Sequence, residues 1–538
     1  MINDIISRLS PLIVVGLEGT VLTDRERELL AAFPPAGVIF FARNVADADQ
    51  LKGLASEVSD IIMDASGLVP LIMADHEGGR TSVLAQAIGA PPSQMSLLRA
   101  ESLAGEKGIL EEIFRETALR MLSCGINMTL SPVADINSEY LNPIIGTRAF
   151  DISADPVCDA VQRAVVALRE TGILTSIKHF PGHGSTTGDS HLVLPIVGKT
   201  TDELIQSDIE PFRSGIRAGA DTVMTAHIAP ADRSLPTSLD PFIIGDLLRG
   251  QLGFDGAIIT DGLEMAGILT GRGLMGAASG LYAGEGCLLK PACVLRTVLE
   301  AGNDILLFSR PAAEVYAEIK EMLPLLEDDL DFWHDRFDDI SARSRPRVDE
   351  LRSRAVAAGR SGSDRIWESS DEMYERVSVI VTGAADSVGS VGKPTFDDST
   401  PIVFCGEEKD FSYFTAGSFI STLLAGTGRA EGPVPVTDRG LEPLFEGLSP
   451  HSREPMRFFS LSYGSREGKP SGVLVMMGRR PVTVEDLNRL TEGFDTIVVT
   501  DWPWVSRFID TEKKIITTYG ICDSAASAVA GLLSGEGA

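Results

Sequence analysis

The sequence predicts an α/β protein: a (β/α)8 TIM barrel followed by a smaller α/β (αβα) sandwich domain. Three observations lead there. Eight short apolar runs alternate with helix-patterned stretches over the first 310 residues. Those runs end in polar or charged residues. After a charged stretch, a second set of strand-like runs begins at about residue 375. The expected division is a barrel over 1–345, a linker over 346–374 and the sandwich over 375–538, and 538 residues are ample for two or three domains.

The eight runs are, in order, LIVVGLE (12–18), GVIFFARN (37–44), LIMADHE (71–77), INMTLSPVAD (126–135), ILTSIKH (173–179), TVMTAHI (222–228), AIITDGLE (257–264) and DILLFSR (304–310). Each is β-branched and aliphatic, lacks polar alternation and is too short for a helix, as expected of a parallel strand covered on both faces. Segments between them, such as DADQLKGLASEVSDIIM and FIIGDLLRGQL, carry helical spacing. Eight such units close a barrel, whose chemistry sits at the C-terminal strand ends. Those ends carry Arg43, Asp75, Glu77, Asp135, Lys178, His179, His227, Asp261 and Ser309.

The connection from Leu269 to Gly302 is long, and its Gly-rich first half reads as a loop over the active site. LLEDDLDFWHDRFDDISARSRPRVDELRSRAVAAGRSGSD reads as the barrel's closing helix followed by a linker. The sandwich strands are VSVIVTG, PIVFC, GVLVMMG, TIVVTD and KIITTYG, with AGTGRAEGPVPVTDRGLEP as surface loop among them.

A net charge of −29 argues against nucleic-acid and anionic-membrane partners. The N-terminus has an early Asp and no basic stretch before its apolar run, and no run reaches the ~18 residues a bilayer requires. A cytoplasmic protein, monomer or homodimer, is expected. Six scattered cysteines, none in a CxxC pair, read as buried thiols in a reducing compartment. There is no GxxxxGK[ST] loop, no GxSxG elbow and no GxGxxG after a strand, which leaves NTPases, α/β serine hydrolases and dinucleotide enzymes without support.

Three clusters bear chemistry. Asp261 ends the seventh run in GFDGAIITDGLEM. A carboxylate fixed there can attack a sugar anomeric carbon, or can simply cap a turn. The stretch KHFPGHGSTTGDSH (178–191) holds three histidines and three glycines. Asp189 and His191 share a face if the chain is extended, so the carboxylate can set the tautomer of an imidazole acid/base. The alternative is a polar surface loop that happens to contain His. A zinc or iron site from His179, His183, His191 and Asp189 is a further reading, although the spacing is not HExxH and Pro181 with the glycines breaks any helical face. Third, Asp75 and Arg80 flank the Gly78-Gly79 turn in ADHEGGRTSV. With Arg148, Lys178 and His179 they offer the mixed donors and acceptors that a polyhydroxylated ligand needs, or else structural ion pairs.

Taken in order, GVIFFARN, ADHEGGR, SPVADIN…NPIIGTRAF, KHFPGHGSTTGDSH, MTAHI and LGFDGAIITDGLEMAGI resemble the glycoside hydrolases of family 3, most closely their β-N-acetylglucosaminidase (NagZ-type) branch. The resemblance covers residues 1 to about 310, and the C-terminal region resembles the sandwich of two-domain members. It implies a retaining exo-enzyme releasing terminal β-GlcNAc from glycans such as peptidoglycan fragments, without metal or other cofactor. Asp261 would be the nucleophile, His191 the acid/base and Asp189 its partner, while Asp75, Arg148, Lys178 and His179 would bind sugar hydroxyls. His76 stands where many members have Gln, and Val83 where many have a second Arg. A β-glucosidase, a β-xylosidase or a GlcNAc phosphorylase of the same family are the neighbouring alternatives, and a metal-dependent barrel hydrolase the more distant one.

Overall fold

The computed structural model describes residues 2–139, 142–186, 190, 194–269, 291–323 and 332–362, six strands between 402 and 517, and residue 529. The eight apolar runs form eight strands: β1 (Ile13–Gly16), β2 (Gly37–Phe40), β3 (Leu71–Ala74), β4 (Met128–Thr129), β5 (Leu174–Phe180), β6 (Thr222–Thr225), β7 (Ala257–Thr260) and β8 (Leu306–Pro311). They lie parallel in the order β8-β1-β2-β3-β4-β5-β6-β7. A bridge between Ile259 and Ile305 joins the two edges and closes the cylinder. Nearly every strand residue is buried, which is why the runs show no polar alternation.

The helices between are bounded by local signals. Thr23 and Glu26 form a reciprocal capping box at the start of Asp24–Ala32. Asp47 caps Ala48–Ser66, which stops at Gly67 in the left-handed conformation. The FIIGDLLRGQL segment is helical over Phe242–Gln251, wound in the wider π form.

A helix over Phe337–Gly362 runs through Pro346 into the stretch read as linker. Val348, Leu351 and Ala355 are buried there. Arg352 donates to the carbonyls of Leu68 and Val69, Arg347 pairs with Asp304, and Arg354 with Asp221. Asp221 and Asp304 accept from the backbone of Thr175 and Ile258, near the starts of β5 and β7. The helix therefore braces the N-terminal end of the barrel, opposite the charged C-terminal strand ends.

A second sheet has strands β9 (Ile402–Glu407), β10 (Val434–Pro435), β11 (Met456–Ser460), β12 (Val473–Met476), β13 (Thr496–Val499) and β14 (Lys514–Thr517), in the order β10-β11-β9-β12-β13-β14. Four predicted strands are present. β10 falls inside the stretch read as loop, and β11 was not anticipated. The VSVIVTG run and the Gly-rich 270–290 segment lie outside the described residues. Cys124 is a buried free thiol and Cys158 a half-buried one. No helix among the described residues is long and apolar enough to cross a membrane.

Candidate active site

The C-terminal ends of β3, β4 and β5 converge on one buried ionic network. Lys178, near the end of β5, places Nζ 2.5 Å from Asp75 Oδ1 and 2.5 Å from Glu77 Oε1. Arg148, on the short helical turn Gly146–Arg148, grips Glu77 with two parallel bonds, Nε to Oε2 at 2.7 Å and Nη2 to Oε1 at 2.8 Å. Arg148 Nη2 also lies 3.2 Å from His179 Nε2. Guanidinium only donates, so Nε2 accepts, and the His179 proton sits on Nδ1, 2.7 Å from Asp135 Oδ2. Asp135 receives the backbone N–H of His183 at 2.6 Å as well. The Lys178–His179 and Phe180–Pro181 peptide bonds are cis.

The charges settle one another. Burial would raise the Glu77 carboxyl, but Arg148 and Lys178 overcome it and hold the group well below the carboxylate range. Asp135 follows the same logic, with His179 and the His183 N–H outweighing burial. Burial opposes the charge on Lys178 and Arg148, yet their carboxylate neighbours push both above their ordinary values. Each ring nitrogen of His179 and His183 has a partner: His183 pairs through Nε2 with Ser190 Oγ at 3.0 Å and through Nδ1 with Thr186 Oγ1 at 2.9 Å.

Gly78, ending the short strand His76–Gly78, and Gly79 after it have positive φ and turn the chain toward the strand Thr81–Ser82. A Cβ on Gly78 would lie 2.1 Å from the Pro92 carbonyl, so the backbone approaches too closely for any side chain there. Arg43 is a brace: it donates to the carbonyls of Leu17 and Ser309, linking the ends of β1, β2 and β8. Val83 packs against the barrel core.

Asp261 follows β7. Its N–H donates to Thr225 O at 3.0 Å, and its Oδ1 accepts from Gly262 N at 2.7 Å. Buried His227 donates from Nε2 to Gly262 O at 3.0 Å, while its Nδ1 pairs with Ser238 Oγ at 2.8 Å. In the turn that follows, Gly267 N donates to Ser190 O, and Ser190 Oγ meets His183 Nε2, which ties this strand end to the β5 network. Asp189 and His191 lie outside the described residues. Glu77, Asp135 and His227 were visible as charged or polar strand ends but were not among the predicted site residues. Only the fold shows that they organise those that were.

Two buried histidines make stability depend on pH. Burial is the main cause that lowers His183 to about 4 and His76 to about 3, from an ordinary 6.5. Both folded values are depressed, so the stability from keeping the rings neutral is complete above about 6.5 and is lost as pH falls toward 4 and 3. Two such protons give a slope of roughly 2.7 kcal/mol per pH unit within that window. Urea midpoints measured from pH 7.5 to 4.5 should fall accordingly, and His76→Gln should halve the slope. A flat profile would show that these rings are hydrated.

Residues 7–339 match the Glycosyl hydrolase family 3 N terminal domain. The chain belongs to glycosyl hydrolase family 3. It is a glycoside hydrolase of that family by its relatives too. A beta-hexosaminidase of Methylococcus capsulatus is 34% identical over 310 residues, 57% of this chain and 85% of that protein. One from Psychromonas ingrahamii is 33% identical over 287 residues, 52% and 82% of the two chains. Among solved structures, the family 3 beta-N-acetylglucosaminidase of Paenibacillus sp. str. FPU-7 covers 99% of this chain and 97% of its own, with a TM-score of 0.72 and 24% identity, a likeness of fold. The Beta-N-acetylhexosaminidase of Beutenbergia cavernae covers 66% of this chain and 98% of its own, with a TM-score of 0.53 and 26% identity.

Proposed function

We propose that this family 3 enzyme is a retaining exo-β-N-acetylglucosaminidase acting on terminal β-GlcNAc, with peptidoglycan fragments as the substrate class and the cytoplasm as its place of work. Asp261 attacks C1 to form a glycosyl ester. His191, oriented by Asp189, protonates the departing oxygen and then takes a proton from the incoming water. Asp75, Arg148, Lys178 and His179 hold the sugar hydroxyls. The barrel of 1–345 carries the chemistry, joined through 346–374 to a sandwich over 375–538. The observation that supports the reading best is the Asp75–Lys178–Glu77–Arg148–His179 network. It gathers fixed donors and acceptors at the strand ends, on the barrel end that also carries Asp261.

The test is parallel kinetics on p-nitrophenyl β-GlcNAc and p-nitrophenyl β-glucoside, with the first-formed anomer read by proton NMR. GlcNAc should be preferred and the β anomer should appear first. A preference for glucose, or first appearance of the α anomer, would overturn the proposal. His191→Ala should lose roughly 10²–10⁴-fold on a phenyl glycoside, whose leaving group needs a proton. It should lose far less on a dinitrophenyl glycoside. Equal losses on both would remove His191 from the acid role.

A further inference from the structure

The geometry points to Ser190 and Gly267 as positioning residues that register the segment bearing the acid/base against the turn bearing the nucleophile. The inference rests on the roles proposed above for Asp261 and His191. Ser190 stands between Asp189 and His191 in the chain and is itself buried. It is held from two sides. Its hydroxyl lies 3.0 Å from His183 Nε2, and its carbonyl accepts from Gly267 N at 2.9 Å. The first contact ties it to β5 through His183, whose own N–H is fixed by Asp135. The second ties it to the turn that begins at Asp261.

Gly267 has no room for a side chain. A Cβ there would lie 2.8 Å from His227 O, 3.0 Å from Ser190 O and 3.2 Å from His227 Cβ. None of these is the tip of a flexible side chain, so something in the backbone must move. The turn is the stiffer partner. Asp261 N donates to Thr225 O, Leu263 N to Leu307 O and Met265 N to Gly262 O, while His227 Nε2 holds Gly262 O. A Cβ at 267 would therefore press on the His227 and Ser190 carbonyls together, so Gly267→Ala disturbs the Ser190 tether and Ser190→Ala isolates it. Proton transfer to a departing oxygen demands hydrogen-bond reach, and a misplacement of about 1 Å costs on the order of 10²-fold. The displacement would be felt as a loss of general-acid assistance.

The experiment is a leaving-group series of aryl β-GlcNAc substrates, from dinitrophenyl to phenyl, run on wild type, Ser190→Ala, Ser190→Thr, Gly267→Ala and Asp261→Asn. Thermal midpoints are taken on each. Ser190→Ala and Gly267→Ala should lose roughly 10–100-fold in kcat on the phenyl substrate and only a few-fold on the dinitrophenyl one, steepening the dependence on leaving-group pKa. Ser190→Thr, which keeps a hydroxyl, should recover most of the loss. If the losses are equal along the series, or absent, the registering role is wrong. Should Gly267→Ala not fold, Ser190→Ala, which removes a single oxygen, decides alone. Retention of activity by Asp261→Asn would instead bring down the functional reading beneath, and so separates the two failures.

Discussion

Asp261→Asn should reduce kcat on p-nitrophenyl β-GlcNAc by on the order of 10⁴-fold, or about 5.5 kcal/mol of barrier. A neutral amide cannot place a full negative charge beneath an oxocarbenium-like centre, and it cannot form a glycosyl ester that water later opens. The substitution is nearly isosteric. Oδ1 of Asn can still accept from Gly262 N, the bond that Asp261 makes at 2.7 Å. The Thr225 and His227 contacts around the turn are backbone or neighbouring ones and survive. Thermal stability should therefore change little while turnover collapses. Asp261→Gly supplies a second check, because it opens space for azide, and added azide should restore turnover with an α-glycosyl azide as product. An Asn variant that keeps a tenth of wild-type turnover would remove Asp261 from the nucleophile's role.

The barrel was legible because buried parallel strands leave uninterrupted apolar runs, and all eight start within two residues of the predicted positions. The fourth, which pairs over far less of its length than the run suggests, teaches more. INMTLSPVAD spans ten residues, but only Met128–Thr129 pair regularly. Pro132 cannot donate to a ladder, and beyond it only the Val133–Lys178 bridge persists. That break places Asp135 behind His179 instead of along a strand. The closing helix was read from the sequence, but its continuation through Pro346 was not, for the opposite reason. Pro and clustered charge usually end a helix, yet Pro346 is exposed while Val348, Leu351 and Arg352 are buried against the barrel floor. Tertiary contacts there outweigh the lost backbone bond. In the second sheet, β10 is two residues at an edge and β11 carries Arg457 within its run, too short and too mixed for pattern alone. At the candidate site the residue types were readable, but not which carboxylate is buried. Glu77 and Arg148 are 71 positions apart in sequence, and only folding brings them into contact.

That buried carboxylate sets the second large expectation. Glu77→Gln should destabilise the fold by roughly 3–5 kcal/mol. Wild-type Glu77 is fully desolvated, with a side-chain exposure of 0%, and it meets Arg148 at 12% and Lys178 at 2%. Two cations are thereby balanced by Glu77 and by Asp75, which is a quarter exposed. Glutamine keeps the shape but supplies one acceptor and no charge. Arg148 then loses its bidentate partner, and Lys178 is left with Asp75 alone. The cost is that of a cation stranded in low dielectric, which exceeds what the intact bridge contributes. The protein contains its own control: Arg27 and Glu57 pair at 2.7 Å with both side chains about 40% exposed. Glu57→Gln should cost less than about 1 kcal/mol, because solvent screens that pair. Urea unfolding of both variants at pH 7 reads the difference directly. A Glu77→Gln loss no larger than that of Glu57→Gln would mean that water reaches the network, and that the rigid donor array credited with holding sugar hydroxyls is not desolvated.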